Sequence, residues 1–339
     1  MNNNVIAFIE KMPKVELHFH LEGAIPIYAI YELIRKYDKN SFIKDISRLN
    51  KKYSYKDFPH FIETWHWQSQ YLRQYEDFIF IAEKIAENLV KQNIRYVEAD
   101  ITPADFSKQH GLKKEKIIES IRTGLDKFSD FVEVNLIYDF NRDLGPEFAM
   151  EQLETAVETK DLGVIGIGLG GQEHMYPAKL YEKVFLVAKD KGFHTTLHAG
   201  EYAGPESIWS AIKICQVERI GHCTSAIKDL ELVTYLKEKQ IPIELCPISN
   251  VKTRVVKSIK EHPIKQYYDM GLNISINTDD PTMFNTSLSN EYSTLISEFE
   301  FTFEDIKKCL EMTIKSSWSS PQKKEYLLNN LDDYFSNNL

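Results

Sequence analysis

The sequence is poor in the features that tie a protein to a membrane, a secretory route or a nucleic acid. Only four cysteines occur in 339 residues, Cys215, Cys223, Cys246 and Cys309, widely spaced and without a Cys-x-x-Cys. Neither a disulfide frame nor a zinc knuckle is indicated, and a reduced cytosol is the default setting. Basic residues are outnumbered, 41 Lys and Arg against 50 Asp and Glu, for a net charge of −9. That balance speaks against a nucleic-acid partner, whose phosphates demand a basic face. No apolar run approaches the length of a membrane span. Met1-Asn2-Asn3-Asn4 followed by Val5 to Ile9 lacks the basic start, long apolar middle and cleavage site of a secretory signal. Linkers rich in Gly, Ser or Pro, low-complexity tracts and charge blocks are also missing. One cytoplasmic domain over 1–339 is the economical expectation.

What is present is an ordinary globular composition, 43% hydrophobic and 27% charged, on a chain long enough to bury a substantial core. Runs of β-branched and apolar residues bounded by turn signals recur at 15–20, 94–101, 132–140, 164–169, 194–199, 219–223, 241–247 and 273–278. Amphipathic stretches of helical length lie between most of them, among them 114–128, 179–191, 206–215 and 228–239. Eight strand–helix alternations predict an α/β fold, a (β/α)₈ TIM barrel, with helices after 301 closing it and 336–339 fraying.

The interval from about 24 to 93 interrupts this rhythm and predicts a helical insertion after the first strand, above the C-terminal mouth of the barrel. Phe58, Phe61, Ile62 and Trp65 recur there at helical spacing. The stripe reads first as a packing face of those helices, and second as a lid over an aromatic ligand. His60 and His66 read as helix-surface residues. Aromatic side chains in 53–71 suit a dimer contact as readily as a lid.

The polar residues fall where strands end. The first strand ends in His18-Phe19-His20, and residues two apart on a strand share a face. The fifth ends in His198-Ala199-Gly200-Glu201, the sixth in Gly221-His222-Cys223, the eighth in Asn277-Thr278-Asp279-Asp280-Pro281. Such groups are costly to bury without a purpose, and a barrel gathers all of them at one end. His18, His20, His198 and Asp279 then offer three imidazoles and a carboxylate, a set that suits one zinc with a position left for water. Glu201 and His222 remain as acid–base partners, and Asp280 as a supporting or substrate-facing carboxylate. The fourth strand ends in Gly168-Leu169-Gly170-Gly171-Gln172-Glu173, with no lysine to bridge a second metal. Its glycines allow close backbone approach, so a flat ligand could lie against it with the Gly171 N–H as donor. A tight strand and turn is the plainer reading of the same glycines.

The segments Pro13 to Gly23, His198-Ala199-Gly200-Glu201, Ile220-Gly221-His222 and Asn277 to Pro281 together resemble the adenosine/adenine deaminase family, in the same order and over essentially the whole chain. The resemblance implies one zinc per chain held by His18, His20, His198 and Asp279, and hydrolytic replacement of the amino group at C6 of an adenine ring. It further implies that Glu201 protonates N1, His222 orients and helps deprotonate the attacking water, Asp280 binds N7, and the Gly171 N–H binds N3. The cytidine-deaminase signature of His-x-Glu with Pro-Cys-x-x-Cys is absent.

Departures concern the sugar end. Many nucleoside-acting members carry Asp where this chain has Glu22, in the turn that reaches the ribose 5′-hydroxyl, and Asp where it has Gly168; Cys223 is often Gly. The runs Glu244 to Val251 and Asp57 to Glu63 look more like the adenine and aminodeoxyfutalosine deaminase branches. Adenosine or a 5′-modified adenosine is the first expectation for the substrate, free adenine or aminodeoxyfutalosine the second. An amidohydrolase acting on a non-purine ring and a non-catalytic purine-binding protein are the readings from other classes.

Overall fold

The computed structural model describes residues 3–338. Apolar runs covered on both faces form parallel strands. Here β1 (Lys14–His20), β2 (Ile94–Ile101), β3 (Glu133–Asn141), β4 (Val164–Gly170) and β5 (His194–Thr195) pair in that order. A second parallel sheet follows with β6 (His198–Ala199), β7 (Ile220–His222), β8 (Ile243–Leu245) and β9 (Ile274–Ile276). The sheets close on each other where the His20 N–H donates to Asp279 O at 2.8 Å and the Asp279 N–H to His18 O at 3.2 Å. At the other junction β5 and β6 are separated only by Thr196 and Leu197, and the Thr196 N–H still reaches Ile167 O at 3.1 Å. The eight staves of a (β/α)₈ barrel are all there. The fifth is divided, at the point where Thr196 turns its hydroxyl to Glu244 Oε2, 3.1 Å away.

The late strands are shorter than their apolar runs. Pro247 and Pro281 have no N–H for a sheet ladder, and each opens a helix instead, Pro247–Lys252 and Pro281–Phe284. The predicted outer helices appear as Lys114–Leu125, Glu182–Asp190, Pro205–Lys213 and Leu230–Lys239. Phe303–Ser316 starts at a reciprocal cap, in which Thr302 Oγ1 accepts from the Asp305 N–H at 3.2 Å and Asp305 Oδ2 from the Thr302 N–H at 2.9 Å. It buries Ile306, Cys309, Leu310, Thr313 and Ile314 along one stripe. The final helix, Pro321–Asn338, continues through Ser336, which corrects the expected frayed end; Leu339 lies outside the described residues. Phe335 anchors it, edge-on to Phe8 at 5.2 Å.

Between β1 and β2 lie the helices Ile27–Tyr37, Ile46–Lys52, Phe58–Ser69 and Tyr75–Lys91. Asp57 starts the third by accepting from the His60 N–H at 3.0 Å. The fourth belongs to the outer ring, packed on Lys114–Leu125 so closely that a methyl at Gly124 would stand 2.7 Å from Ala82 Cβ. Inside the barrel the wholly buried Arg219 joins Glu98 at 2.5 Å and Glu244 at 2.6 Å, its guanidinium 3.4 Å over the Trp318 ring. All four cysteines are buried and free. No helix among the described residues is long and apolar enough to cross a membrane.

Candidate active site

The barrel converts four separated strand ends into one cluster. His20 Nε2 stands 3.2 Å from His198 Nε2 and 3.2 Å from Asp279 Oδ1, and His18 Nε2 stands 3.4 Å from the same oxygen. Four donors at about 2.1 Å from a tetrahedral ion stand about 3.4 Å from one another. These edges match that figure. His18 Nε2 is buried and makes no hydrogen bond, which leaves it to a cation. The residues fit a divalent metal. His222 belongs to the same cluster, since donor atoms of His18, His198, His222 and Asp279 all lie within 4.8 Å of one another.

The carboxylates around His18 favour positive charge at this point, carried either by a proton on the ring or by a cation that displaces it. Burial works against a charged His18, but Asp279 and Glu244 outweigh it and hold the ring up to about 10. Burial, with His18 and His222 close by, pushes His198 well down and keeps it a neutral donor. Asp279 stays well below the carboxylate range despite burial, through the His18 and His20 imidazoles 3.4 and 3.2 Å from its Oδ1.

Neighbouring groups fix each donor. His18 Nδ1 is held by Glu244 Oε2 at 3.0 Å, and Glu244 in turn by Arg219; a carboxylate behind a histidine sets the tautomer that leaves Nε2 free. His198 Nδ1 donates to Leu169 O at 3.1 Å, and Ser249 Oγ donates to Asp279 Oδ2 at 2.6 Å. Asn250 Nδ2 donates to His222 Nδ1 at 3.1 Å while Asn250 Oδ1 accepts from His262 Nε2 at 3.1 Å. With Nδ1 occupied, the proton of a neutral His222 ring sits on Nε2, facing the cavity. Burial holds that ring down to about 3. His222, Cys223 and Asp279 all have φ near +60°, an uncommon backbone for side-chain-bearing residues and one that concentrates at functional sites.

Glu201 Oε2 lies 3.6 Å from His222 Nε2. Burial, then the charges of Asp279 and Glu173, raise its carboxyl well above the usual range. Asp280 is raised likewise by burial and Asp279, and its Oδ1 is buried without a partner. It lies directly beneath Gly23, where any side chain would overlap the carboxylate. His20, Gly171, His198, Glu201, His222, Asp279 and Asp280 all line one cavity that opens to solvent. Glu22 does not line it. Its carboxylate is buried and turned to Thr102, accepting from the N–H at 2.9 Å and the hydroxyl at 3.0 Å, and Thr102 forms the wall in its place. Phe58, Phe61, Ile62 and Trp65 both pack and line the cavity; Phe58 lies tilted against Tyr202 with ring centres 4.2 Å apart. His66 is an exposed helix-surface residue, as expected, and also edges the cavity.

Two supporting carboxylates had no sequence motif to announce them. Glu173 is buried and accepts from the backbone N–H groups of Gly200, Glu201, Tyr202 and Ala203 at 2.5, 3.1, 2.8 and 3.0 Å. It thereby holds the loop that aims Glu201. Glu173→Gln, which turns one acceptor oxygen into a donor, is expected to lower kcat about 10- to 100-fold with the fold retained; steady-state kinetics beside circular dichroism check this, and an unchanged kcat would contradict it. Asp139, on β3, reaches over β4, where a side chain at Gly168 would come within 2.5 Å of Asp139 Oδ1. The glycine at 168 therefore makes room for a carboxylate delivered from the neighbouring strand. Glu16 was legible in principle, sharing a strand face with His18 and His20. Its Oε1 accepts from the Thr278 N–H and hydroxyl, both at 2.6 Å, beside Asp279.

A parallel eight-staved barrel with a metal-type donor set and a buried acid at the C-terminal strand ends defines a hydrolase of the barrel class. Comparison with known proteins narrows this. The family described as Adenosine deaminase matches residues 13–334, and the chain belongs to that family. It is 35% identical to an adenosine deaminase of Clostridium kluyveri, over 95% of this chain and 93% of that one. It is 31% identical to an aminodeoxyfutalosine deaminase of Streptomyces avermitilis, over 97% and 92%. The crystal structure of an adenine deaminase from Arthrobacter aurescens superimposes with a TM-score of 0.91 at 27% identity, over 96% of this chain and 99% of that one. The protein is a metal-dependent hydrolase of C–N bonds in cyclic amidines, acting at C6 of adenine-type substrates.

Proposed function

We propose that the chain is a zinc-dependent deaminase of adenosine or a 5′-modified adenosine, giving the inosine-type product and ammonia, and that 1–339 works as one barrel domain with the helix Phe58–Ser69 of the 24–93 insertion over its mouth. The observation that carries this is the meeting of His18, His20, His198 and Asp279, with donor edges of 3.2–3.4 Å, beside the buried Glu201. Three imidazoles and a carboxylate suit zinc. When bound, zinc supplies a nucleophile stronger than water at neutral pH.

The chain's own residues do the rest. Glu201, kept protonated by its surroundings, gives a proton to ring nitrogen N1 as the C6–O bond forms, so negative charge does not build on the ring. His222 orients the attacking water through the Nε2–H that the Asn250–His262 pair leaves facing the cavity. Asp280, its Oδ1 unpartnered and its carboxyl kept protonated by burial and the nearby Asp279, donates to N7, and the Gly171 N–H serves N3. The C6–N bond then breaks: the proton the water gave up on attack leaves with the amino group as ammonia, and the C6 hydroxyl returns its proton to Glu201 as C6=O forms. Glu22 contributes by fixing Thr102.

Relatives named for adenosine, adenine and aminodeoxyfutalosine are similar in identity, so the cavity carries the choice among them. Beyond Gly171 its wall holds Thr102, Asp105, Asn141 and Asp143, polar partners that sugar hydroxyls can use and a bare purine cannot reach. The test is to offer adenosine and adenine to zinc-loaded protein and follow the ultraviolet change from aminopurine to oxopurine. Adenosine is expected to exceed adenine in kcat/KM by about 100-fold or more, the worth of two good hydrogen bonds. An equal or faster reaction with adenine would overturn the nucleoside assignment.

A further inference from the structure

We infer that His262 and Asn250 are positioning residues, which dictate from outside the cavity the ring nitrogen on which His222 carries its proton. The inference rests on the reading above, in which His222 holds the attacking water.

Every hydrogen bond in this relay takes its direction from one group that can only donate. Ile264 opens the helix Ile264–Met270, and a first-turn N–H has no acceptor inside its own helix. It donates instead to His262 Nδ1 at 3.2 Å, which leaves that nitrogen without a proton. Burial holds the His262 ring down to about 3, so the ring is neutral and its proton sits on Nε2. From there it is donated to Asn250 Oδ1 at 3.1 Å. The Asn250 amide is thereby oriented. Turned over, it would set its own N–H against that of His262, and both donors would be buried and unpaired. In the orientation that remains, Asn250 Nδ2 donates to His222 Nδ1 at 3.1 Å.

The surroundings hold this arrangement in place. Asn250 and His262 are buried, and neither lines the cavity, so they act on the substrate only through His222. The Asn250 backbone is pinned on both sides, its N–H donating to Cys246 O and its carbonyl accepting from the Val256 N–H, each at 3.0 Å. At the far side of the His222 ring, Nε2 stands 3.6 Å from Glu201 Oε2 and 4.0 Å from Asp279 Oδ2. Two carboxylate oxygens there agree independently with a proton on that nitrogen. A proton on Nδ1, in the other tautomer or in the imidazolium, would meet the Asn250 N–H head-on.

The direct test is nitrogen-15 NMR of the metal-loaded full chain labelled in histidine. His222 is expected to show a bare Nδ1 and a protonated Nε2, and a proton on Nδ1 in the unaltered protein would overturn the inference. Asn250→Asp puts an acceptor where the amide N–H stood. His222 should then carry a proton on Nδ1, and kcat is expected to fall about 100- to 10,000-fold with KM little changed. His262→Leu removes the donor that orients the amide and is expected to lower kcat about 10- to 100-fold, while His262→Gln, whose amide offers an N–H in its place, should recover most of that loss. Folded variants that kept both the unaltered kcat and the unaltered ring spectrum would overturn the inference. A chain that failed to deaminate adenosine would defeat the nucleoside reading, while the ring spectrum would still support or overturn the relay.

Discussion

Glu201→Gln is expected to lower kcat about 10²- to 10⁴-fold, the usual worth of a positioned general acid, while leaving the metal in place. The substitution keeps the shape and the hydrogen-bonding reach of the side chain and removes only its exchangeable carboxyl proton. The side chain is 7% exposed and faces His222 at 3.6 Å, so no bulk water stands ready to replace it as donor. None of the donor atoms of His18, His20, His198 or Asp279 depends on Glu201 for a hydrogen bond. Metal content measured alongside turnover separates the two roles. Near-normal kcat with the metal still bound would remove Glu201 from the mechanism. A variant that lost its metal would instead show Glu201 to be part of the cation site.

Metal removal should have the other large effect. Chelation is expected to abolish turnover, and the melting temperature should fall with it, because the cluster is costly when bare. It buries three imidazoles against Asp279 and leaves His18 Nε2 without a partner. Metal at a thousand times its Kd stabilises the folded state by about 4 kcal/mol. For a chain of 339 residues that corresponds to about 6 °C in Tm. Calorimetry with and without added zinc measures the shift. Asp279→Ala should lose both the shift and the activity, since it takes away the oxygen shared by His18 and His20. If chelated protein melted and turned over like the untreated chain, the cation site would be refuted.

Much of the site was legible because its chemistry is written in short local patterns. His18 and His20 announce themselves by alternation on one strand, and Asp279-Asp280 by two acids at the end of an apolar run that has no other use for them. The barrel was legible for a related reason. Strands buried on both faces run apolar, so β4 was visible nearly to the residue, and β2 was read from its apolar residues despite Arg95, Glu98 and Asp100. Prediction failed where long-range contacts override local preference. Thr196 leaves the fifth strand to reach Glu244, and 336–338 stay helical because Phe335 packs against Phe8.

The sequence by itself determined the identity and order of the groups at the strand ends, and with them the class of reaction. Only the tertiary structure decided which groups support them. Glu173 lies 27 residues before the first amide it holds and Glu244 lies 226 after its histidine; no spacing rule links such pairs. Tertiary structure also decided what faces the substrate. Glu22 sits in the turn expected to reach the sugar, yet its carboxylate is turned to Thr102, while Asp139 from the adjacent strand fills the space above Gly168. A side chain's direction depends on which neighbours leave it room and which offer it a donor, and those neighbours become adjacent only when the barrel closes.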